Sequence, residues 1–133
     1  MEPTSRKIIL IVDDDHNTRM FVKEQLKALG QKVLAAKNGS EALAVIRDQG
    51  GRLDLLLSDV EMPEMNGIEL AEALASEVPE AKVILMSGCI KPSLNSNNYA
   101  RYKKGFIQKP FSGKTLVSHV KKALTELTGE SIQ

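Results

Sequence analysis

Five short apolar runs alternating with segments of helical period predict an α/β chain, a doubly wound parallel sheet of five strands with five helices over its two faces. Three observations carry that expectation. The runs Ile8-Ile9-Leu10-Ile11-Val12 and Leu55-Leu56-Leu57 are unbroken rather than alternating, as in strands covered on both sides. The segments between strands repeat apolar residues three and four apart. Each strand also stops at a polar residue or a turn former instead of fading into the next segment.

The chain supports this in order. Lys7 opens the first strand, which ends in Asp13-Asp14-Asp15. From Asn17 to Leu29, residues Phe21, Val22, Leu26 and Leu29 fall at helical spacing, and Gly30 supplies a stop. Val33 to Ala36 reads as a second strand. The turn Asn38-Gly39-Ser40 offers Ser40 as an N-cap for a helix lined by Ala42, Leu43 and Ile46, ending near Gly50-Gly51. The strand at Leu55 runs to Ser58, followed by Asp59 and a loop holding Pro63 and Gly67. A helix over Ile68 to Ser76 turns Leu70, Ala71 and Leu74 inward. Pro79 then separates it from the strand Val83 to Met86, which ends in Ser87-Gly88. Lys91 to Lys104 is poor in helix formers, with Pro92, Ser93, Asn95, Ser96, Asn97 and Asn98 against Leu94, Tyr99 and Tyr102, and predicts a short helix. Phe106-Ile107-Gln108 is a brief last strand before Lys109-Pro110-Phe111, and a final helix places Leu116, Val120, Leu124 and Leu127 on one face.

Composition bounds the rest. The 133 residues fit one domain, 1–133, with a folded core over about 6–128. The 42% hydrophobic and 26% charged fractions suit a globular protein. Lys and Arg total 18 against 17 Asp and Glu, which gives no reason to expect direct nucleic-acid binding or an anionic membrane as partner. Cys89 is the single cysteine, so an internal disulfide is excluded. No stretch approaches a membrane-spanning length, and the expected location is cytoplasmic.

Four strands end in polar groups: Asp13 and Asp14, Asp59, Ser87 and Lys109. Singly, each has an ordinary explanation, such as a helix cap, a turn serine or a solvated lysine. Jointly they share the carboxyl edge of a parallel sheet, where loops line a crevice. Three clustered carboxylates repel one another unless a cation compensates. With no His or Cys among them, such oxygen donors select a hard ion, and Mg²⁺ is the expected one. Mg²⁺ and the Lys109 ammonium together would balance the three carboxylates. The Ser87 hydroxyl and Lys109 would then complete a cradle for a phosphoryl group, with a carboxylate as nucleophile toward phosphorus.

The acidic pair in Ile-Val-Asp-Asp-Asp, the stretch Ser58-Asp59-Val60-Glu61-Met62-Pro63-Glu64-Met65-Asn66-Gly67, Met86-Ser87-Gly88 and Phe106-Ile107-Gln108-Lys109-Pro110-Phe111 together resemble the receiver domain of two-component response regulators. The similarity runs from about Lys7 to Leu127. It implies a flavodoxin-like sheet of strand order 2-1-3-4-5. It also implies that Asp59 accepts a phosphoryl group from a histidine kinase or a histidine phosphotransfer protein. Asp13, Asp14 and Asp59 would bind Mg²⁺ with the Glu61 backbone carbonyl, and Lys109 would pair with the phosphate ahead of a cis Pro110. Ser87 and Phe106 would be the switch pair, Phe106 standing where many relatives have Tyr. The Glu61 side chain lies where phosphate access is modulated, either by repelling water or by competing at the metal site. The Ser87-Gly88 and Phe106 to Phe111 motifs look like receivers attached to hybrid histidine kinases. Receivers act as switches rather than enzymes, apart from Mg²⁺-dependent self-phosphorylation and autodephosphorylation, and can form a homodimer on phosphorylation. The six residues after Leu127 leave no room for a DNA-binding output domain, so a stand-alone receiver or a module of a longer protein is expected.

Two competing readings remain at this level. Asp13-Asp14-Asp15 resembles the Asp-x-Asp start of a Mg²⁺-dependent phosphatase of the haloacid dehalogenase type, which would make Asp13 the nucleophile. Asn17 stands where that motif has Thr or Val. The other is a silent interaction module, against which the full set of polar residues argues. His16 is expected at a helix start, His119 on a solvated helix face, Met62 and Met65 in loop packing, and Cys89 as a small buried thiol.

Overall fold

The computed structural model describes residues 6–88 and 105–128. Strands β1 (Ile8–Val12), β2 (Lys32–Ala36), β3 (Leu55–Asp59), β4 (Lys82–Ser87) and β5 (Phe106–Gln108) form one sheet in the order β2-β1-β3-β4-β5. Every neighbouring pair is parallel. This is the flavodoxin-like order. Helices α1 (His16–Lys27), α2 (Gly39–Asp48), α3 (Gly67–Glu77) and α4 (Gly113–Thr128) are the four among the described residues. The expected short helix within Lys91 to Lys104 lies outside the described residues, as do Cys89 and its surroundings.

The unbroken apolar strands are explained by two cores. Successive side chains of a strand point to opposite faces. Leu10, Val12 and Leu56 therefore meet Ala42 and Ile46 of α2 and Leu70 and Leu74 of α3. Ile9, Ile11, Leu55 and Leu57 meet Val22 and Leu26 of α1 and Leu116, Val120 and Leu124 of α4. Burying one such side chain stabilises by about 1.5–3 kcal/mol, so neither face could be left open.

Polar side chains set the helix starts. Asp15 caps α1 and Asn66 caps α3, the latter in a reciprocal box with Glu69. Ser112 accepts from the Thr115 N–H at 3.1 Å at the start of α4. For α2 the expected Ser40 cap is corrected. Asn38 is the N-cap, accepting from the Glu41 N–H at 2.7 Å, and Ser40 lies inside the first turn. The amide oxygen of Asn38, two residues upstream, reaches the third helical N–H, whereas Ser40 comes after the chain has already turned. Of the apolar residues at helical spacing, Val22 and Leu26 occupy the buried stripe of α1 while Phe21 is 40% exposed, its ring 6.3 Å from that of Phe111. Helix α1 also ends at Lys27, with Ala28 as cap, before the expected Leu29.

Candidate functional site

The carboxyl edge of the sheet gathers the polar strand ends. Asp13 directly follows β1, an interior strand beside the central β3, and is fully buried. Its Oδ1 accepts the Asp15 N–H at 2.9 Å, and its Oδ2 accepts from Lys109 Nζ at 2.9 Å. Both oxygens are thereby engaged. Asp14 is exposed, and Asp59, the last residue of β3, is only 4% exposed. Ligating oxygens of Asp13, Asp14 and Asp59 all lie within 4.8 Å of one another. That is an all-oxygen donor set of the size a hard divalent cation takes.

Lys109 spans the two buried carboxylates. Its Nζ is 2.9 Å from Asp13 Oδ2 and 3.2 Å from Asp59 Oδ1. The Asp59 contact is an ion pair without a directed hydrogen bond, so Oδ1 is left with no formal hydrogen-bond partner. The peptide between Lys109 and Pro110 is cis, as expected, and the Lys109 N–H donates to the Ser87 carbonyl at 2.7 Å, tying the end of β5 to β4.

Charge and burial set the proton affinities. Burial pushes the Asp59 carboxyl up to about 6, the Asp13 charge adds to it, and Lys109 opposes both. For Lys109, burial favours the neutral amine. The hydrogen bond and charge of Asp13, with the charge of Asp59, outweigh that and raise its pKa. Asp15 is held below the usual carboxylate range by its hydrogen bonds from Thr18.

The loop after β3 is shaped by close approach. The Gly67 N–H donates to the Val60 carbonyl at 3.0 Å, and a Cβ at Gly67 would run into the Asp59 carbonyl oxygen. Only glycine lets α3 start so near the end of β3. Glu64, in the same loop, has φ of 70°, a left-handed conformation for a residue with a side chain. Met62 is buried in the α2–α3 core and Met65 packs against Gly39, so both pack as expected.

The buried Ser87 hydroxyl donates to Glu61 Oε2 at 2.6 Å. Phe106, at the start of β5, is half-buried and packs on the α2–α3 side of the sheet. Three contacts escape a reading by sequence. One is the Ser87–Glu61 bond. The second is Arg19, whose Nη1 donates to the Asp13 carbonyl at 2.6 Å, and the third is the return bond from Asp15 to Asp13. The first becomes visible only once Asp59 is paired with Met86 in register, which sets Glu61 and Ser87 at the same edge. His16 starts α1 as expected. His119 differs from expectation. It is half-buried, and its Nδ1 is enclosed without a hydrogen-bond partner. Burial first, then the Lys122 charge, lowers its pKa.

Comparison with known proteins agrees with this geometry. The sequence profile of the response regulator receiver domain matches residues 9–121. The chain is 39% identical over 116 residues to sensor kinase CckA of Brucella abortus, covering 87% of this chain and 12% of that protein. It is 33% identical over 118 residues to the response regulator receiver protein CpdR of the same organism, covering 89% of this chain and 97% of CpdR. It thus spans about an eighth of the kinase and nearly all of the receiver protein. A solved receiver domain from Methanospirillum hungatei superposes with a TM-score of 0.82 at 32% identity, over 95% of this chain and 99% of that one. With strand-end carboxylates, a bridging lysine and a match over most of its length, the chain belongs to the receiver domains of two-component response regulators.

Proposed function

We propose that Asp59 is the phosphoacceptor of this receiver, taking a phosphoryl group from the phosphohistidine of a histidine kinase or histidine phosphotransfer protein. The observation that carries the reading is the pair of buried carboxylates bridged by Lys109. Of the two, Asp59 is the one whose carboxylate makes, among the described residues, only the ion pair with Lys109 at 3.2 Å, its Oδ1 taking no hydrogen bond. Asp13 has both oxygens in hydrogen bonds, which disfavours it as a nucleophile and leaves the phosphatase alternative without support.

In the transfer, a carboxylate oxygen of Asp59 forms a bond to phosphorus as the phosphorus–nitrogen bond of the donor breaks. The departing electron pair stays on the imidazole nitrogen, which takes up a proton. A pKa of about 6 leaves Asp59 mostly ionised at pH 7, while its burial keeps the nucleophile poorly solvated. Lys109 is placed to pair with the phosphoryl oxygens as they arrive, and its raised pKa keeps it charged. Asp13, Asp14 and Asp59, with the Glu61 backbone carbonyl, would hold Mg²⁺, which when bound supplies neutralisation of phosphoryl charge. Ser87 and Phe106 would report the modification, the hydroxyl moving to the phosphoryl group and the ring following it. The kinase match supports a phosphorelay setting, since that relative is a sensor kinase carrying a segment similar to this chain.

The test is incubation with Mg²⁺ and a small acyl phosphate, then borohydride trapping and mass spectrometry. A single phosphoryl group on Asp59, lost with EDTA and in Asp59→Asn, is the expected result. Label on Asp13 with turnover of phosphate esters would overturn it in favour of a phosphatase. No adduct would leave a silent interaction module.

A further inference from the structure

We infer that the Glu61 side chain is a latch on the switch serine, holding the Ser87 hydroxyl until a phosphoryl group on Asp59 displaces it. The inference rests on the switch reading above and assigns the Glu61 carboxylate a role separate from its backbone carbonyl. Ser87 is fully buried, and its Oγ donates to Glu61 Oε2 at 2.6 Å. That length falls in the range of bonds from a hydroxyl to a carboxylate, which are about twice as strong as neutral ones. A serine hydroxyl has a single proton to donate. Glu61 and the phosphoryl oxygens on Asp59 would therefore compete for it. Competition is direct because both acceptors sit at the end of β3, Asp59 as its last residue and Glu61 two positions on.

Two further features suit a latch that opens. Glu61 is exposed, so its carboxylate can swing into water at little cost once released. Glu61 and a newly phosphorylated Asp59 would also carry like charge, so the modification that offers Ser87 a better acceptor repels the old one. The bond crosses from the loop after β3 to the end of β4, and the Ser87 carbonyl in turn accepts from the Lys109 N–H at 2.7 Å.

The test combines NMR of the free, Mg²⁺-free protein with beryllofluoride binding in Mg²⁺, using wild type, Glu61→Ala, Glu61→Gln, Ser87→Ala and the double variant Glu61→Ala/Ser87→Ala. Glu61→Ala should change the Ser87 side-chain rotamer populations in the free protein and tighten beryllofluoride binding by about tenfold, the scale of one charge-assisted hydrogen bond at a partly exposed site. Glu61→Gln, which keeps an acceptor without the charge, should fall between. In the Ser87→Ala background, removing Glu61 should change affinity by less than about twofold, since no hydroxyl is left to hold. An equal gain in both backgrounds would show a general field of the carboxylate and overturn the latch. So would Ser87 rotamers unchanged by Glu61→Ala. If no form binds beryllofluoride, the phosphoacceptor reading fails by itself, and the Ser87 rotamers of the free protein still decide the latch.

Discussion

Replacing Asp59 with asparagine should stabilise the metal-free protein at neutral pH, although it removes the group proposed to do the chemistry. The carboxyl is buried, and its pKa is raised from the usual 3.8 to about 6, mostly by burial and secondarily by Asp13. The native state therefore binds this proton more tightly than the unfolded chain. The stability Asp59 contributes is fully present below 3.8 and is lost as pH rises through about 6. At 1.36 kcal/mol per tenfold in proton affinity, the full cost of the ionised carboxylate is capped at about 3 kcal/mol. The mouth of the site opens to water at Asp14 and Glu61, and screening brings the figure nearer to about 1–2 kcal/mol. Asparagine keeps the shape and drops the charge, while Lys109 keeps its partner Asp13. Urea unfolding in EDTA at pH 8 should show Asp59→Asn more stable than wild type by that amount, and at pH 4 the two should nearly coincide. A variant no more stable at pH 8, or a gain equal at both pH values, would refute the argument that burial of an ionised Asp59 strains the native state.

Other outcomes follow from the same geometry. Mg²⁺ should raise the melting temperature of wild type in proportion to the logarithm of its concentration, and should do so far less for Asp13→Asn, as followed by calorimetry. Gly67→Ala should destabilise by about 1–3 kcal/mol in chemical unfolding, because the new methyl group meets the Asp59 carbonyl, and should weaken Mg²⁺ binding with it. Asn66→Ala should cost about 1 kcal/mol through loss of the α3 cap, measured by the same method. Glu64→Asn should stabilise by up to about 1 kcal/mol, since asparagine tolerates the left-handed backbone at φ 70°; unchanged stability would mean that the loop relaxes without cost.

Much of this arrangement was legible in the chain itself. The unbroken apolar run placed β1 to the residue, because every position of that strand is buried, and the short segments that end in polar residues placed β5 to the residue and the other strands to within one residue at each end. Asp13, Asp14, Asp59, Ser87 and Lys109 were legible as strand ends, and a parallel sheet leaves strand ends one edge to share. What stayed hidden depended on register and side-chain reach. Nothing local distinguishes Asn38 from Ser40 as a cap until the turn geometry decides which oxygen meets the Glu41 N–H. Phe21 satisfies helical periodicity as well as Val22 does, yet the helix has only one buried stripe. His119 reads as surface beside Lys121 and Lys122, and its enclosed Nδ1 emerges only once α4 packs on the sheet. The Ser87–Glu61 bond links residues 26 positions apart, through a register that no local pattern encodes.

The bond from Lys109 to Asp13 joins residues 96 positions apart. Closing so long a loop carries more entropy cost than pairing nearer segments, although that cost grows only slowly with length. Asp13 and Asp59 come together when β1 pairs with β3, well before the end of the chain is needed. Their neutralising lysine arrives only with β5. A chain with β5 undocked would hold two neighbouring carboxylates with no ammonium to pair with them, an unfavourable state that docking of the strand resolves. The site thus depends on an edge strand of only three residues, and peeling β5 from β4 would take Lys109 away from both carboxylates.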